Sequence, residues 1–296
     1  MTKIPVYVFS VLLLFASCGR KQTKQDMDTP IDEEIHDNMN IGVTPTIDCL
    51  PLYVAYDRGW FGEEGLTVDM MPFMSHLEID EALLGRTLDG AFNDLFRTEY
   101  LAKHRGMAMC YVTSTELSWR LVANKNTRLT RLEQLGDKMV AMTRFSATDH
   151  LTEEALKGVK TNAMVFRAQI NDIGVRYGMI DNNLMDTGWL PEPYATQAIQ
   201  NGHKILKTPK VNDKFGVLTF RAAYAERQEN KTKIEALEKV YDKACDSINR
   251  KGLMQYAEIL QKDCNADTAI VSRLPKIVFT HVEKPDESLL EKVRTY

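Results

Sequence analysis

The sequence predicts an α/β protein with mainly parallel sheets, and three observations carry that prediction. Short apolar runs alternate with segments of helical period from Ile41 to about Phe220. Glycines stand where one kind of segment gives way to the other. Two long amphipathic segments then close the chain. The 256 residues from Ile41 onward suggest two lobes rather than one.

The elements follow in order. IGVTPTI (41–47) reads as a strand running into the Pro-containing loop DCLP. LYVAYDRGWF spaces Leu52, Ala55 and Tyr56 helically and stops at Gly59; Gly65 turns the chain into the strand LTVDMM. Strand–helix–strand in this order implies a parallel crossover. IDEALLGR is a short helix, LDGAFND a strand ending in Asn93 and Asp94, FRTEYLAKHRG a helix stopped by Gly106, and MAMCYVTS an apolar strand. SWRLVANKN reads as another strand, and LTRLEQLGDKMVAM as a helix and then a strand over Lys138 to Met142. LTEEALKGV is a helix, AMVFRAQI a strand, NDIGVRYGM a helix, and LMDTGWL a strand ending in the octapeptide WLPEPYAT (189–196). In the tail, Ile234, Leu237, Val240, Tyr241, Ala244 and Ile248 form one apolar stripe, with the charges between them on a solvated face.

The amino-terminal residues have a different character. Lys3, the apolar run Ile4 to Phe15 and the small residues Ala16 and Ser17 have the layout of a secretory signal over residues 1–17. That run is too short for a spanning helix, which needs about 20 residues. Phe-Ala-Ser-Cys resembles a bacterial lipobox, which makes Cys18 the expected lipidation site. Residues 18–39 are polar and charged, the composition of a flexible tether. Without residues 1–17 the formal charge is −5, from 36 Lys and Arg against 41 Asp and Glu. A mildly acidic body gives no reason to expect nucleic acid as a partner. Four cysteines follow Cys18 and none forms a CxxC, so a zinc or redox motif is not expected. Export permits disulfides, with Cys49–Cys110 and Cys245–Cys264 as the candidate pairs.

Taken together, PLYVA after a strand, a helix ending GWF, GLTVD, LLGRTLDGAFND, LVANKN, LEQLGDKMVA followed by SATDHLTEEAL, and the WLPEPYA turn form an ordered series. That series resembles the solute-binding proteins of the nitrate, sulfonate, taurine and thiamine-pyrimidine-precursor ABC transport family. The resemblance implies a two-lobed type II periplasmic binding-protein fold with a cleft between the lobes and C-terminal helices. It places the crossings near Trp119–Leu121 and Phe215–Thr219, giving one lobe of residues 40–118 plus 219–296 and another of 119–218. It further implies a lipid-anchored extracytoplasmic protein that closes on a small solute and serves an ABC permease and its ATPase. No cofactor or metal is implied.

Ligands of open α/β sheets sit beyond the carboxyl ends of the strands, and small-molecule sites favour clefts between domains. The candidate ligand residues are therefore those of five strand-end loops. They are Asp48 and Leu50; Asn93 and Asp94; Thr115 and Glu116; Arg144, Ser146 and Thr148; and Trp189, Glu192 and Tyr194. Each has a plainer reading: Ser146 and Thr148 as helix caps, Asp48 and Asn93 as turn residues, Glu192 paired with an arginine, Trp119 as core. The carboxylates favour an amine or nitrogen heterocycle, whereas Arg144 beside a helix start favours an anion; an aminosulfonate-like zwitterion uses both.

An enzyme on the same fold, acting in thiamine-pyrimidine or menaquinone-precursor synthesis, is the rival from another class. The six histidines are scattered, no HExxH or GxSxG occurs, and a secretory signal argues against a cytoplasmic biosynthetic role, so no enzyme is expected; without a GxxxxGK[ST] the chain is not expected to be the ATPase either. A solute-sensing lipoprotein shares all these features.

Overall fold

The alternating segments become crossover units in a computed structural model, which describes residues 37–210 and 214–296. The first series runs β1 (Met39–Val43), α1 (Leu50–Asp57), α2 (Trp60–Glu63), β2 (Val68–Pro72), α3 (His76–Leu84), β3 (Gly90–Asp94), α4 (Leu95–Arg105) and β4 (Met109–Thr115). The second runs β5 (Trp119–Ala123), β6 (Met139–Met142), α5 (Ala147–Leu156), β7 (Phe166–Gln169), α6 (Ile173–Asp181), β8 (Thr187–Pro191), α7 (Tyr194–Gln200) and β9 (Lys204–Lys207). The chain then returns through β10 (Gly216–Arg221) to α8 (Ala222–Ala225), α9 (Gln228–Lys251), α10 (Ala257–Cys264), α11 (Thr268–Val271) and α12 (Glu287–Arg294).

Two five-stranded sheets result, in the orders β2-β1-β3-β10-β4 and β7-β6-β8-β5-β9. The orders are equivalent strand for strand. In each sheet one central strand runs parallel to two neighbours, β1 to β2 and β3, and β6 to β7 and β8. In each, too, a strand next to a crossing runs antiparallel to both of its own neighbours, β10 in the first and β5 in the second. The sheets are therefore mixed, because a strand that enters from the other half need not arrive in the crossover direction.

Several boundaries differ from the sequence expectation. β1 ends at Val43 rather than Ile47, because the chain turns where the Thr44 and Thr46 hydroxyls bond each other at 2.7 Å. Met39, expected in the tether, is already paired with Val68. LEQL is a single 3-10 turn over Leu132–Leu135, not a full helix. Gly216, Val217 and Leu218, expected with residues 119–218, pair with β3 and β4 in the first sheet. Gly59 and Gly106 adopt left-handed φ values of 69° and 67°, which is how they stop their helices.

Neither candidate disulfide is present: Cys49, Cys110, Cys245 and Cys264 are free thiols. Cys110 lies on edge strand β4, three strands from β1, or roughly 14 Å at ordinary sheet spacing. Cys49 follows β1 and contacts the Thr44 and Thr46 hydroxyls, beyond the reach of a bond to Cys110. Cys264 instead points its thiol at the Thr46 carbonyl.

One core packs α1 and α9 against β1, β3 and β10; a second packs α5, α6 and α7 against β5, β6 and β8 and reaches across to Leu95, Phe96 and Val217; a smaller third joins α3 and α4 to β3. All six residues of the predicted α9 stripe are buried, each large aliphatic side chain contributing on the order of 2 kcal/mol. Among the described residues, no helix is long and apolar enough to cross a membrane. The signal at residues 1–17, Cys18 and most of the tether lie outside the described residues.

Candidate functional site

The carboxyl ends of the parallel strands of the two sheets face each other, and their loops meet in pairs. After β1, Ile47 donates its N–H to the Glu192 carbonyl after β8, at 3.0 Å. After β7, Ile173 donates to the Met74 carbonyl after β2, also at 3.0 Å. At the end of β3, Asp94 accepts the Ala147 N–H after β6 with both carboxylate oxygens, at 2.8 and 3.1 Å. This seam is lined with side chains that chains rarely bury.

Asp94 also accepts from the Phe96 and Arg97 N–H groups at the start of α4, so one carboxylate serves the first turns of two helices. Burial pushes its carboxyl up to about 7, and the Ala147, Arg97 and Phe96 donors pull against that rise. Asp48 lies beside α1 and accepts from the Thr46 hydroxyl at 2.6 Å and the Thr115 hydroxyl at 3.0 Å. Those partners are neutral. Burial raises the Asp48 carboxyl, opposed by the two hydroxyls. Asn93 bridges, donating to Asp80 at 2.9 Å and accepting from the Asp94 N–H. Asp80 in turn takes Arg97 Nε at 2.6 Å, and Arg97 Nη1 reaches the Arg144 carbonyl.

Glu192 is the counterpart of Asp94 at the end of the equivalent strand. Its Oε2 accepts the Thr196 N–H of α7 at 3.0 Å, and its Oε1 faces Arg120 Nη1 at 3.2 Å without a well-directed hydrogen bond. A cis Glu192–Pro193 peptide carries the chain from β8 into α7.

Three residues missed or set aside in the sequence reading complete the seam. Arg176 of α6 is fully buried. It donates to the Ile170 and Trp189 carbonyls and the Thr143 hydroxyl, so all its partners are neutral. Burial lowers its pKa to about 9. Its guanidinium lies 5.6 Å from the ring centre of Trp119. The Trp119 ring is 2 % exposed and its Nε1–H has no partner among the described residues. His76 packs edge-on against Trp119 at 6.1 Å. Burial, with Arg176 and Arg97 nearby, pushes the imidazole down to about 3, so it is neutral at physiological pH. The one signal for Arg176 in sequence is an arginine on the short apolar helix IGVRYGM; a lone His and a lone Trp carry none.

The other candidates fall elsewhere. Trp189 is fully buried in the second core, its indole N–H on Thr152 at 2.9 Å, so the pleat turns it away from the seam. Leu50 is core. Arg144 is exposed, and its backbone rather than its guanidinium reaches the seam. Ser146 and Thr148 form the first turn of α5, with Ser146 Oγ accepting the Thr148 N–H and donating to the Thr143 carbonyl. Thr148 Oγ1 accepts the Thr143 N–H. Glu116 pairs with Lys214 beside the crossing and takes the Thr280 hydroxyl. Tyr194 is buried at the start of α7, tilted against Tyr177 at 5.8 Å.

Two equivalent mixed sheets, joined by two crossings and facing each other through their strand ends, are the type II periplasmic binding-protein fold. A profile of the NMT1-like family matches residues 32–184, just over half of the chain, and the chain belongs to that family. Solved structures give the same fold at low identity. The periplasmic aliphatic sulphonate-binding protein SsuA of Escherichia coli superposes with a TM-score of 0.70 at 16 % identity, covering 88 % of this chain and 86 % of that one. The alkanesulfonate-binding SsuA of Xanthomonas axonopodis pv. citri, bound to MOPS, gives 0.72 at 13 % identity over 88 % and 90 %. The periplasmic nitrate-binding protein NrtA of Synechocystis PCC 6803 gives 0.69 at 15 % over 85 % and 74 %. No curated protein matches the sequence.

Proposed function

We propose that the chain is an extracytoplasmic solute-binding protein that closes its two halves on one small organic solute and presents it to an ABC permease. Its halves are residues 40–118 with the return strand and C-terminal helices, and the segment from residue 119 to the return crossing. A lipid on Cys18, beyond a tether, holds it at the membrane. The observation that carries this reading is the seam itself, where two ionisable groups are buried without an ionised partner in contact among the described residues, Asp48 among hydroxyls and Arg176 among carbonyls.

Burying unpaired charges is costly. A ligand offering an opposite charge to each offsets that cost and is selected by it. The solute is accordingly a zwitterion of the aminosulfonate kind, or a nitrogen heterocycle bearing an acceptor. Its acceptor end meets Trp119 Nε1–H, His76 and Arg176, and its nitrogen end meets Asp48. Closure follows because the solute contacts loops of both halves at once. The binding proteins of similar fold, two of them named for sulfonates and one for nitrate, support a solute with an anionic end.

The test is a thermal-shift screen of residues 37–296 against aminosulfonates, aliphatic sulfonates, nitrate and pyrimidines. A ligand specific for the folded state raises the melting temperature by an amount that grows with its concentration over Kd. A zwitterion that outperforms its simple sulfonate and simple amine analogues supports the reading. Equal response to the sulfonate alone removes Asp48 from it, and silence across the panel counts against solute binding.

A further inference from the structure

A groove of about 510 Å³ lies outside the seam, between α4, α12 and the loop before α5. That volume is within the range of small-molecule sites, roughly 300–1,000 Å³. Four aromatic rings line it: Phe96 and Tyr100 from α4, Phe145 from the loop, and Tyr296 beyond α12. The rings are fixed relative to one another. Phe145 stacks on Tyr100 with centroids 5.0 Å apart and planes 21° from parallel, and Tyr296 meets Phe96 edge-on at 5.2 Å.

Phe145 is the unusual member. It is 49 % exposed and sits at φ 56°, a region a bulky side chain occupies only at a cost. Its own N–H is held by the Asp149 carboxylate at 3.0 Å, so the loop presents the ring outward in a fixed pose. Among the side chains that line the groove, cations outnumber the one carboxylate. Glu99, the acidic member of the lining, is engaged by the Tyr111 hydroxyl at 2.7 Å and by Arg294 Nε at 3.3 Å. Lys103 at the rim donates to a neutral group, the Arg294 carbonyl, and His104 leans on Tyr100 at 4.6 Å.

We propose that this groove is a small-molecule site separate from the seam, which takes a flat aromatic ring bearing one carboxylate or sulfonate. The ring lies on the solvent-facing side of Phe145, which is backed by Tyr100, and meets Tyr296 edge-on, where offset and edge-on contacts are favourable. The anionic group meets Lys103, exchanging a neutral carbonyl partner for a charged one. A neutral aromatic gains the first contact without the second, and an aliphatic anion the second without the first.

The experiment is a calorimetric titration of the full chain with 2-naphthalenesulfonate. The expected result is one saturable site per chain. Loss of an aromatic wall in Phe145→Ser or Tyr100→Leu weakens binding about tenfold, the equivalent of one lost ring contact. Lys103→Gln and added salt each weaken it severalfold, 2-methylnaphthalene binds more weakly than the sulfonate, and Trp119→Phe at the seam leaves binding unchanged. Phe145 and Lys103 are exposed, so these two variants keep the fold, which their melting temperatures verify. Unsaturable uptake overturns the proposal. So do the absence of binding and binding that survives Phe145→Ser and Lys103→Gln; if that surviving binding is lost in Trp119→Phe, the probe sits in the seam.

Discussion

At the residue scale, Trp119 Nε1 and Glu192 Oε1 are buried polar atoms of the seam without a well-formed hydrogen bond among the described residues. An orphaned buried donor costs about 1–3 kcal/mol. Trp119→Phe removes the donor and keeps a ring face for Arg176 and His76. The solute-free protein should therefore be unchanged or more stable by about 1 kcal/mol in denaturant melts, while affinity for the seam ligand falls. An unchanged affinity would show that the indole N–H does not meet the solute. Glu192→Gln acts differently, because this candidate ligand residue also holds structure. The carboxylate caps α7 through Thr196 and faces Arg120, and a glutamine must turn its NH₂ toward one of those donors. A stability loss of about 1–3 kcal/mol is expected, read as a lower denaturant midpoint at constant slope.

At the scale of elements, the two crossings depend on close approach. A Cβ at Gly216 would lie 2.1 Å from Thr115 Oγ1 and 2.4 Å from Leu117 Cβ, where β10 passes the link from β4 to β5. Thr115 cannot simply rotate aside without releasing Asp48. Gly216→Ala should cost on the order of 3 kcal/mol through overpacking and disturb solute binding through Asp48. A melting temperature equal to the parent's would show that the crossing is looser than its geometry. The strand-end acids have a comparable element-scale role. Asp94 and Glu192 end equivalent strands and satisfy the first turn of the helix that follows each.

Across the whole molecule, the meeting of the two sheets buries His76 against Trp119, within electrostatic reach of the cations Arg176 and Arg97. Its pKa is lowered from 6.5 to about 3, so the folded state holds the neutral ring. The stability that depends on neutrality is fully present above about pH 6.5 and is lost as pH falls toward 3, by up to about 1.4 kcal/mol per pH unit. His76→Gln should lose less stability than the parent between pH 7 and 4.5 in parallel thermal melts. Superimposable pH profiles would mean that the ring is hydrated in solution rather than buried. The thiols give a second whole-molecule test. With Cys49, Cys110, Cys245 and Cys264 free in the fold, adding a reductant should leave the melting temperature of residues 37–296 unchanged. A drop would restore a disulfide.

Local chemistry wrote much of this molecule into its sequence. The alternation of strands and helices, the glycine stops at 59 and 106 and the apolar stripe of α9 depend on side-chain period and backbone freedom, which neighbours in sequence share. Asp48, Asn93, Asp94 and Glu192 were legible as strand-end residues for the same reason. Other features were decided only when the two sheets met. Trp189 and Trp119 look alike in sequence, yet the pleat turns one to Thr152 in the core and leaves the other at the seam, its N–H without a partner among the described residues. Arg144 was the evident cation, but its side chain faces solvent, and Arg176, hidden on an apolar helix, supplies the buried charge. Sequence determined which residues could stand at the strand ends, because that follows from local conformation. Tertiary structure decided which of them keep an unmet charge or donor, because desolvation and partnership depend on groups far apart along the chain.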